Sequence, residues 1–257
     1  MPTFHHMVAL GSSFAAGPGI PPVVNAAAGR SGANYPHLLA ETLGAELTDA
    51  TVSGATTATI LRESQRTLRR RFAPQIRSVT PYTDLVTVTA GGNDLGYLGS
   101  LMTAAGLNRL SELPVIGAAF RPLLARKSLE PPTPEAIGGA AAGLARIVQE
   151  ARSISPGATV LLIDYLPILD AGTTPAGLSA EQVTHFRSVA EALSQAFGAA
   201  AHRSDALLLP ASAYQAGHGV GSPGPWVSGF GPRASSFHPT AAGMREVARL
   251  AAQVLRI

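Results

Sequence analysis

The chain contains no cysteine. Disulfides, thiolate nucleophiles, zinc–thiolate sites and iron–sulfur clusters are therefore excluded. Lysine is nearly as scarce: Lys127 stands alone beside 18 arginines. Charged residues make up 14% of the chain and aromatics 5%, and the net charge of +3 is spread along it. No block of like charge interleaved with aromatics marks a nucleic-acid binder. Apolar runs all fall short of the roughly 18 residues that a membrane-spanning helix needs. The start, Met1 to His6, lacks the basic and apolar regions of a signal peptide. A soluble protein is expected, either cytoplasmic or the mature form of an exported one. The seven histidines show no paired spacing of the metal-binding kind, so neither a metal nor another cofactor is expected.

At 257 residues with 46% hydrophobic content, the chain suits one large domain with a substantial core. Short apolar runs alternate with longer helical patterns, as in α/β proteins with a parallel sheet. Strands are expected at Phe4–Leu10, Glu46–Val52, Leu85–Ala90, Thr159–Ile163 and Ala206–Leu209. Helices are expected at Asn34–Leu43, Ile60–Phe72, Pro134–Ile154, Ala180–Arg203 and Ala241–Leu255. Right-handed crossovers make this a three-layer α/β/α sandwich with a five-stranded parallel sheet, most simply in the flavodoxin-like order 2-1-3-4-5. Residues 97–134 look like a helical insertion near the site, either plain core packing or a cap that touches substrate. Arg69-Arg70-Arg71 reads as the solvated face of a helix.

Sites in such sheets form at the carboxyl ends of the strands. Three of those ends carry unusual residues: Gly11-Ser12-Ser13, Ser53-Gly54-Ala55-Thr56 and Gly91-Gly92-Asn93-Asp94. A serine hydroxyl needs a base within hydrogen-bond reach, and the oxyanion formed on attack at a carbonyl needs donors. Ser13 has the setting of a nucleophile, although a serine at a strand end is commonly an N-cap. Gly54 lets its backbone N–H approach a ligand. Asn93 can donate two bonds from its amide, with Asp94 beside it as a cap. His238, near the start of the last helix with Pro239 in its first turn, lies at the same end of the sheet.

Taken in order, Ser13, Gly54, Asn93 and His238 resemble the four blocks of the SGNH (GDSL) hydrolases. Flanking text agrees at Tyr35-Pro36-His37-Leu38-Leu39-Ala40, Tyr165-x-Pro167 and Pro225-Trp226-Val227, which is similar to the actinobacterial esterase/lipase branch. The resemblance spans essentially the whole chain and implies the SGNH hydrolase fold. It also implies an acyl-enzyme on Ser13, His238 as general base, and an oxyanion hole from Ser13, Gly54 and Asn93. The partner it implies is a small-molecule carboxylic ester, acyl or lipid-like. Oligomeric state is left open, with a monomer admissible.

Two positions depart from the family. Ser12 replaces the usual aspartate before the nucleophile. Ser235 occupies the position, three residues before the histidine, where the triad acid normally sits. A Ser–His dyad is expected, with a backbone carbonyl near Ser235 accepting from Nδ1. The alternatives are a remote acid (Asp164, Asp170 or Asp205) and a catalytically impaired binding protein. Acyl transfer to an alcohol would use the same residues as hydrolysis.

Overall fold

Strands β1 (His6–Gly11), β4 (Glu46–Asp49), β7 (Leu85–Thr89), β8 (Thr159–Ile163) and β9 (Leu207–Leu209) form one parallel sheet. Their order is β4-β1-β7-β8-β9, the 2-1-3-4-5 order expected from the sequence. The computed structural model describes residues 3–68, 70–111, 130–170, 177–214, 217–231 and 235–256. Residue patterns dictate the order. All of β7, and β1 from Met7 to Gly11, is buried, so both faces of the central strands are covered. That favours near-continuous apolar runs, which β1 supplies, while β7 (Leu85–Thr89) buries two threonines among its aliphatic residues. β4 alternates between exposed and half-buried residues, as an edge strand does.

The covering helices fall into two groups. Helix α2 (Tyr35–Leu43) packs against α7 (Ala241–Val254), while α5 (Pro134–Ile154) packs against α6 (Ala180–Ser204) and the short α3 (Thr57–Leu61). Helices α2, α5, α6 and α7 each begin at a residue whose side chain accepts a first-turn amide: Asn34, Thr133, Ser179 and Thr240. Among the described residues no helix is long and apolar enough to cross a membrane.

The helix expected at Ile60–Phe72 does not form. α3 ends at Leu61, and Gln65–Arg66 (β5) pairs antiparallel with Arg71–Phe72 (β6). Local contacts outweigh helical periodicity here. Gln65 Nε2 donates to the Ser53 carbonyl at 2.8 Å and draws the chain back toward the sheet. Thr67 N then donates to the Arg70 carbonyl at 2.8 Å and closes a turn. A second small hairpin, β2 (Val23–Asn25) with β3 (Arg30–Ser31), was not visible in the apolar pattern. Within residues 97–134, helix α4 (Tyr97–Ser111) buries Tyr97, Leu101, Ala104 and Ala105. Residues 112–129 of the expected excursion lie outside the described residues.

Two glycines one turn apart in α5 test this packing. A Cβ on Gly139 meets nothing within 4 Å, whereas on Gly143 it would lie 2.5 Å from Thr57 Oγ1 on α3. Gly139→Ala should stabilise by about 0.5–1 kcal/mol through helix propensity. Gly143→Ala should destabilise by about 1–3 kcal/mol through overpacking despite the same propensity gain. Urea unfolding of the two variants checks the opposite signs.

Candidate active site

The first strand ends in a built corner. Gly11 N donates to Gln75 Oε1 at 2.8 Å, and Gln75 Nε2 donates back to the Gly11 carbonyl at 3.0 Å. Gln75 is buried on a 3-10 turn (Gln75–Ser78), and the Gly11 carbonyl accepts in addition from Val52 N at 3.1 Å. Ser12 N donates to the Thr89 carbonyl at the end of β7, at 2.9 Å. Helix α1 (Ser13–Ala16) starts immediately afterwards. Ser13 thus occupies the first helical position, 5% exposed, at the carboxyl edge of the sheet.

Ser12 is not a capping side chain for α1. Its hydroxyl lies 2.9 Å from the Tyr165 hydroxyl, which also accepts from Gly92 N at 3.2 Å. This bridge ties the ends of β1, β7 and β8 together where the family usually has an aspartate. Burial pushes the Tyr165 phenol up to about 12, so it stays protonated. Gly92 has no room for a side chain, because a Cβ would sit 2.9 Å from the Tyr165 ring.

Gly54 follows β4 in a turn with φ +83°, a left-handed conformation that glycine adopts without penalty. The N–H groups of Ser13 and Gly54 have no acceptor among the described residues. Asn93 Nδ2 donates one bond to the Ala55 carbonyl at 2.9 Å, which fixes the amide beside the Gly54 turn and leaves its other N–H to give. Asp94 is a cap: it accepts from Thr57 Oγ1 at 2.6 Å and from Thr57 N at the start of α3.

His238 lies ahead of the last helix, not in it. α7 begins at Ala241 with Thr240 as its N-cap, and Pro239 pairs with Val227 in an isolated β-bridge instead of occupying the first helical turn. The stretch Trp226–Ser228 is the splint for this loop. Thr240 N donates to the Trp226 carbonyl, Phe237 N to the Ser228 carbonyl, and Ser228 N to the His238 carbonyl. Phe237 takes a left-handed φ of 56° to make this turn.

The ring of His238 is 5% exposed, and its Nδ1 lies 2.8 Å from the Ser236 carbonyl oxygen. A carbonyl can only accept, so Nδ1 carries the proton and Nε2 presents a lone pair. The carbonyl named from sequence was that of Ser235. It accepts instead from His238 N at 3.0 Å and from the Ser228 hydroxyl. The left-handed turn at Phe237 brings the next carbonyl, that of Ser236, to the ring. Burial lowers His238 to about 4, with the Ser236 carbonyl offsetting this only in part.

The three aspartates weighed as remote acids are bound elsewhere. Asp164 accepts from Ser194 and Ser212, Asp170 accepts from Gly219 N, and Asp205 caps α6.

The two ends of the chain meet through their neighbours. The Phe14 ring sits 5.9 Å from the His238 imidazole and 4.6 Å from the Tyr165 ring. A cavity of about 360 Å³ borders His238 with largely apolar walls from Pro18, Ala26–Gly29, Ser53 and Leu68. A larger one, about 470 Å³ between Tyr165 and α6, is lined by neither Ser13 nor His238. No group of three histidine or acidic side chains among the described residues is placed to hold a metal. Gln75, Tyr165 and the Ser236 carbonyl had no local signal that gave their roles. Only the Tyr165-x-Pro167 text pointed at one of them.

Comparison with known proteins bears on the family and the fold. The profile of the GDSL-like lipase/acylhydrolase family matches residues 9–246. Over 101 residues the chain is 46% identical to Lipase 2 of Streptomyces coelicolor, a match spanning 38% of this chain and 33% of that protein. The extracellular lipase of Streptomyces rimosus aligns over 98% of both chains, with 27% identity and a TM-score of 0.74. Phospholipase A1 of Streptomyces albidoflavus, at 22% identity and a TM-score of 0.71 over 99% of both chains, shares the fold. With its family match running over nearly the whole length on this fold, the chain belongs to the GDSL-like lipase/acylhydrolase family.

Proposed function

We propose that the protein hydrolyses carboxylic esters through an acyl-enzyme on Ser13, with His238 as the base of a Ser–His dyad. The observation that carries this reading is the proton placement on His238. A backbone carbonyl holds the Nδ1 proton, so the ring offers Nε2 as an acceptor in a largely water-free site. Ser13 Oγ attacks the ester carbonyl and Nε2 takes its proton. The oxyanion accepts from the N–H groups of Ser13 and Gly54 and from the Asn93 amide. Collapse expels the alcohol, protonated by His238, and a water activated by the same nitrogen then releases the acid. The Ser236 carbonyl dipole orients the imidazolium in place of a carboxylate. The apolar cavity beside His238 suits an acyl or alkyl chain, in keeping with the lipase names of its relatives.

Ser13→Ala and His238→Ala should each abolish at least about 99% of p-nitrophenyl ester hydrolysis, in line with loss of a nucleophile or its base. Ser235→Ala should keep most of it, because only the backbone at 235–236 is used. Fluorophosphonate labelling of the wild type but not of Ser13→Ala separates this reading from an inert pocket. Hydrolysis rates across acyl chain lengths test the lipid-like preference, which a strict acetyl preference would sink.

The pH profile follows from His238. The base must be neutral to accept a proton, and its ring resists protonation until about pH 4. kcat/KM should therefore hold through pH 5–6, where an ordinary imidazole is already charged, and fall only on approaching 4. Stability has the same sign. The unfolded chain's imidazole protonates near 6.5, so between 6.5 and 4 each unit of acidification costs about 1.4 kcal/mol at this one group. Rates and circular dichroism recorded together from pH 3.5 to 8 separate the two losses.

Gln75 positions Ser13 without touching substrate. Gln75→Leu should lower kcat by about tenfold or more with KM little changed, since a small misplacement of the nucleophile is costly, while Gln75→Glu should recover only part of it. An equal rise in KM would point to general unfolding of the corner.

A further inference from the structure

Of the arginine run expected on a helix, Arg70 and Arg71 sit instead on the β5–β6 hairpin, Arg69 lies outside the described residues, and no step of ester hydrolysis uses them. At the hairpin turn Leu68 is 108% exposed, with Arg66, Arg70 and Arg71 exposed around it. The turn is ordered by Thr67, whose N–H donates to the Arg70 carbonyl and whose hydroxyl accepts from Arg70 N at 3.2 Å. The leucine is thus held outward. Thr67 and Leu68 help to line two cavities at once: a basic cleft of about 640 Å³ with Arg66, Arg70 and Arg71, and the apolar pocket that borders His238.

The β2–β3 hairpin supplies another wall of that pocket through Ala26–Gly29. On it, Val23 and Val24 are 57% and 56% exposed. Both side chains stand more than half open to solvent on a strand whose register with β3 shifts between Val23 and Asn25. Both hairpins that frame the His238 pocket therefore carry bare aliphatic side chains, and one of them adds three guanidinium groups.

We infer that the two hairpins form a docking surface for an anionic phospholipid layer. Leu68, Val23 and Val24 enter the hydrocarbon boundary, Arg66, Arg70 and Arg71 pair with the phosphates, and the His238 pocket opens onto the lipid between them. Charge complementarity selects this occupant. Between residues 51 and 81 the sequence carries a single acid, Glu63, against this cluster of guanidiniums, whose planar donors match phosphate oxygens. Each basic group at an anionic surface contributes about fivefold in partitioning. The inference takes its purpose from the ester-hydrolase reading, but binding itself needs no turnover.

The test uses the intact Ser13→Ala chain in co-sedimentation with vesicles of phosphatidylcholine alone or mixed with phosphatidylglycerol. Binding should rise at least tenfold with phosphatidylglycerol and weaken with salt. Arg66→Gln/Arg70→Gln/Arg71→Gln should lose at least tenfold of that binding, and Leu68→Ser several-fold, with unfolding midpoints unchanged because the side chains are exposed. On the active background, the triple glutamine variant should hydrolyse a soluble p-nitrophenyl ester as the wild type does. Equal binding to both vesicle types, or unchanged binding by the triple variant, overturns the proposal. So does the absence of vesicle binding alongside arginine-dependent binding to heparin. Vesicle binding with no hydrolysis of any soluble ester would leave the docking surface standing and sink the enzyme reading instead.

Discussion

Gly11 can have no side chain, because a Cβ there would sit 2.6 Å from the carbonyl oxygen of Thr89. That approach lets β1 and β7 end side by side while the chain leaves the sheet and enters α1 within two residues. Without Gln75 the buried Gly11 N–H would have no acceptor, a cost of several kcal/mol in an apolar medium, while the Gly11 carbonyl would keep only its bond from Val52 N at 3.1 Å. Gln75 removes that cost by meeting both the N–H and the carbonyl, and Ser12 bonds to Thr89 and Tyr165. The position of Ser13 is therefore the product of a close backbone approach and its satisfied hydrogen bonds.

The other half of the site balances burial against basicity. Burial shields His238 from water, but it disfavours the imidazolium that the proposed mechanism must form. A carboxylate would counter this with a full charge. The Ser236 carbonyl supplies a dipole, which is weaker but brings no second titrating group into the site and adds no buried charge. The loop around it explains how a carbonyl can be so placed: the left-handed Phe237 and the bonds from Trp226–Ser228 leave the Ser236 oxygen facing Nδ1.

Most of the sheet was legible in the chain because burial on both faces forces apolar runs in β1 and β8, and in β7 admits only the threonines Thr87 and Thr89 beside Leu85, Val86 and Val88. The helices over 134–154 and 180–204 were legible because capping residues and periodicity coincide there. The helix expected at 60–72 failed because its residues answer to other contacts: Gln65 to the Ser53 carbonyl, and Thr67 to Arg70 across a turn. Gln75 was invisible for the same reason, since a lone glutamine after a proline has no local signature. The order of Ser13, Gly54, Asn93 and His238 could be read through family resemblance, whereas which carbonyl meets the histidine depends on a single backbone torsion.

That torsion also explains why the Ser235 position can depart from the family pattern. A side-chain acid must be held by its own contacts, so losing it would normally free the ring. Here the ring is held by main chain, which every substitution at 235 retains unless it alters the turn. The constraint has moved from the identity of one side chain to the path of the 226–240 loop, and to its small and left-handed positions. Gly243 belongs to that constraint: a Cβ there would lie 2.3 Å from the Trp226 carbonyl, the same carbonyl that anchors Thr240. The close seat of α7 against the splint therefore helps set the height of His238 over the sheet, so the last helix bears on the chemistry without contributing a side chain to it.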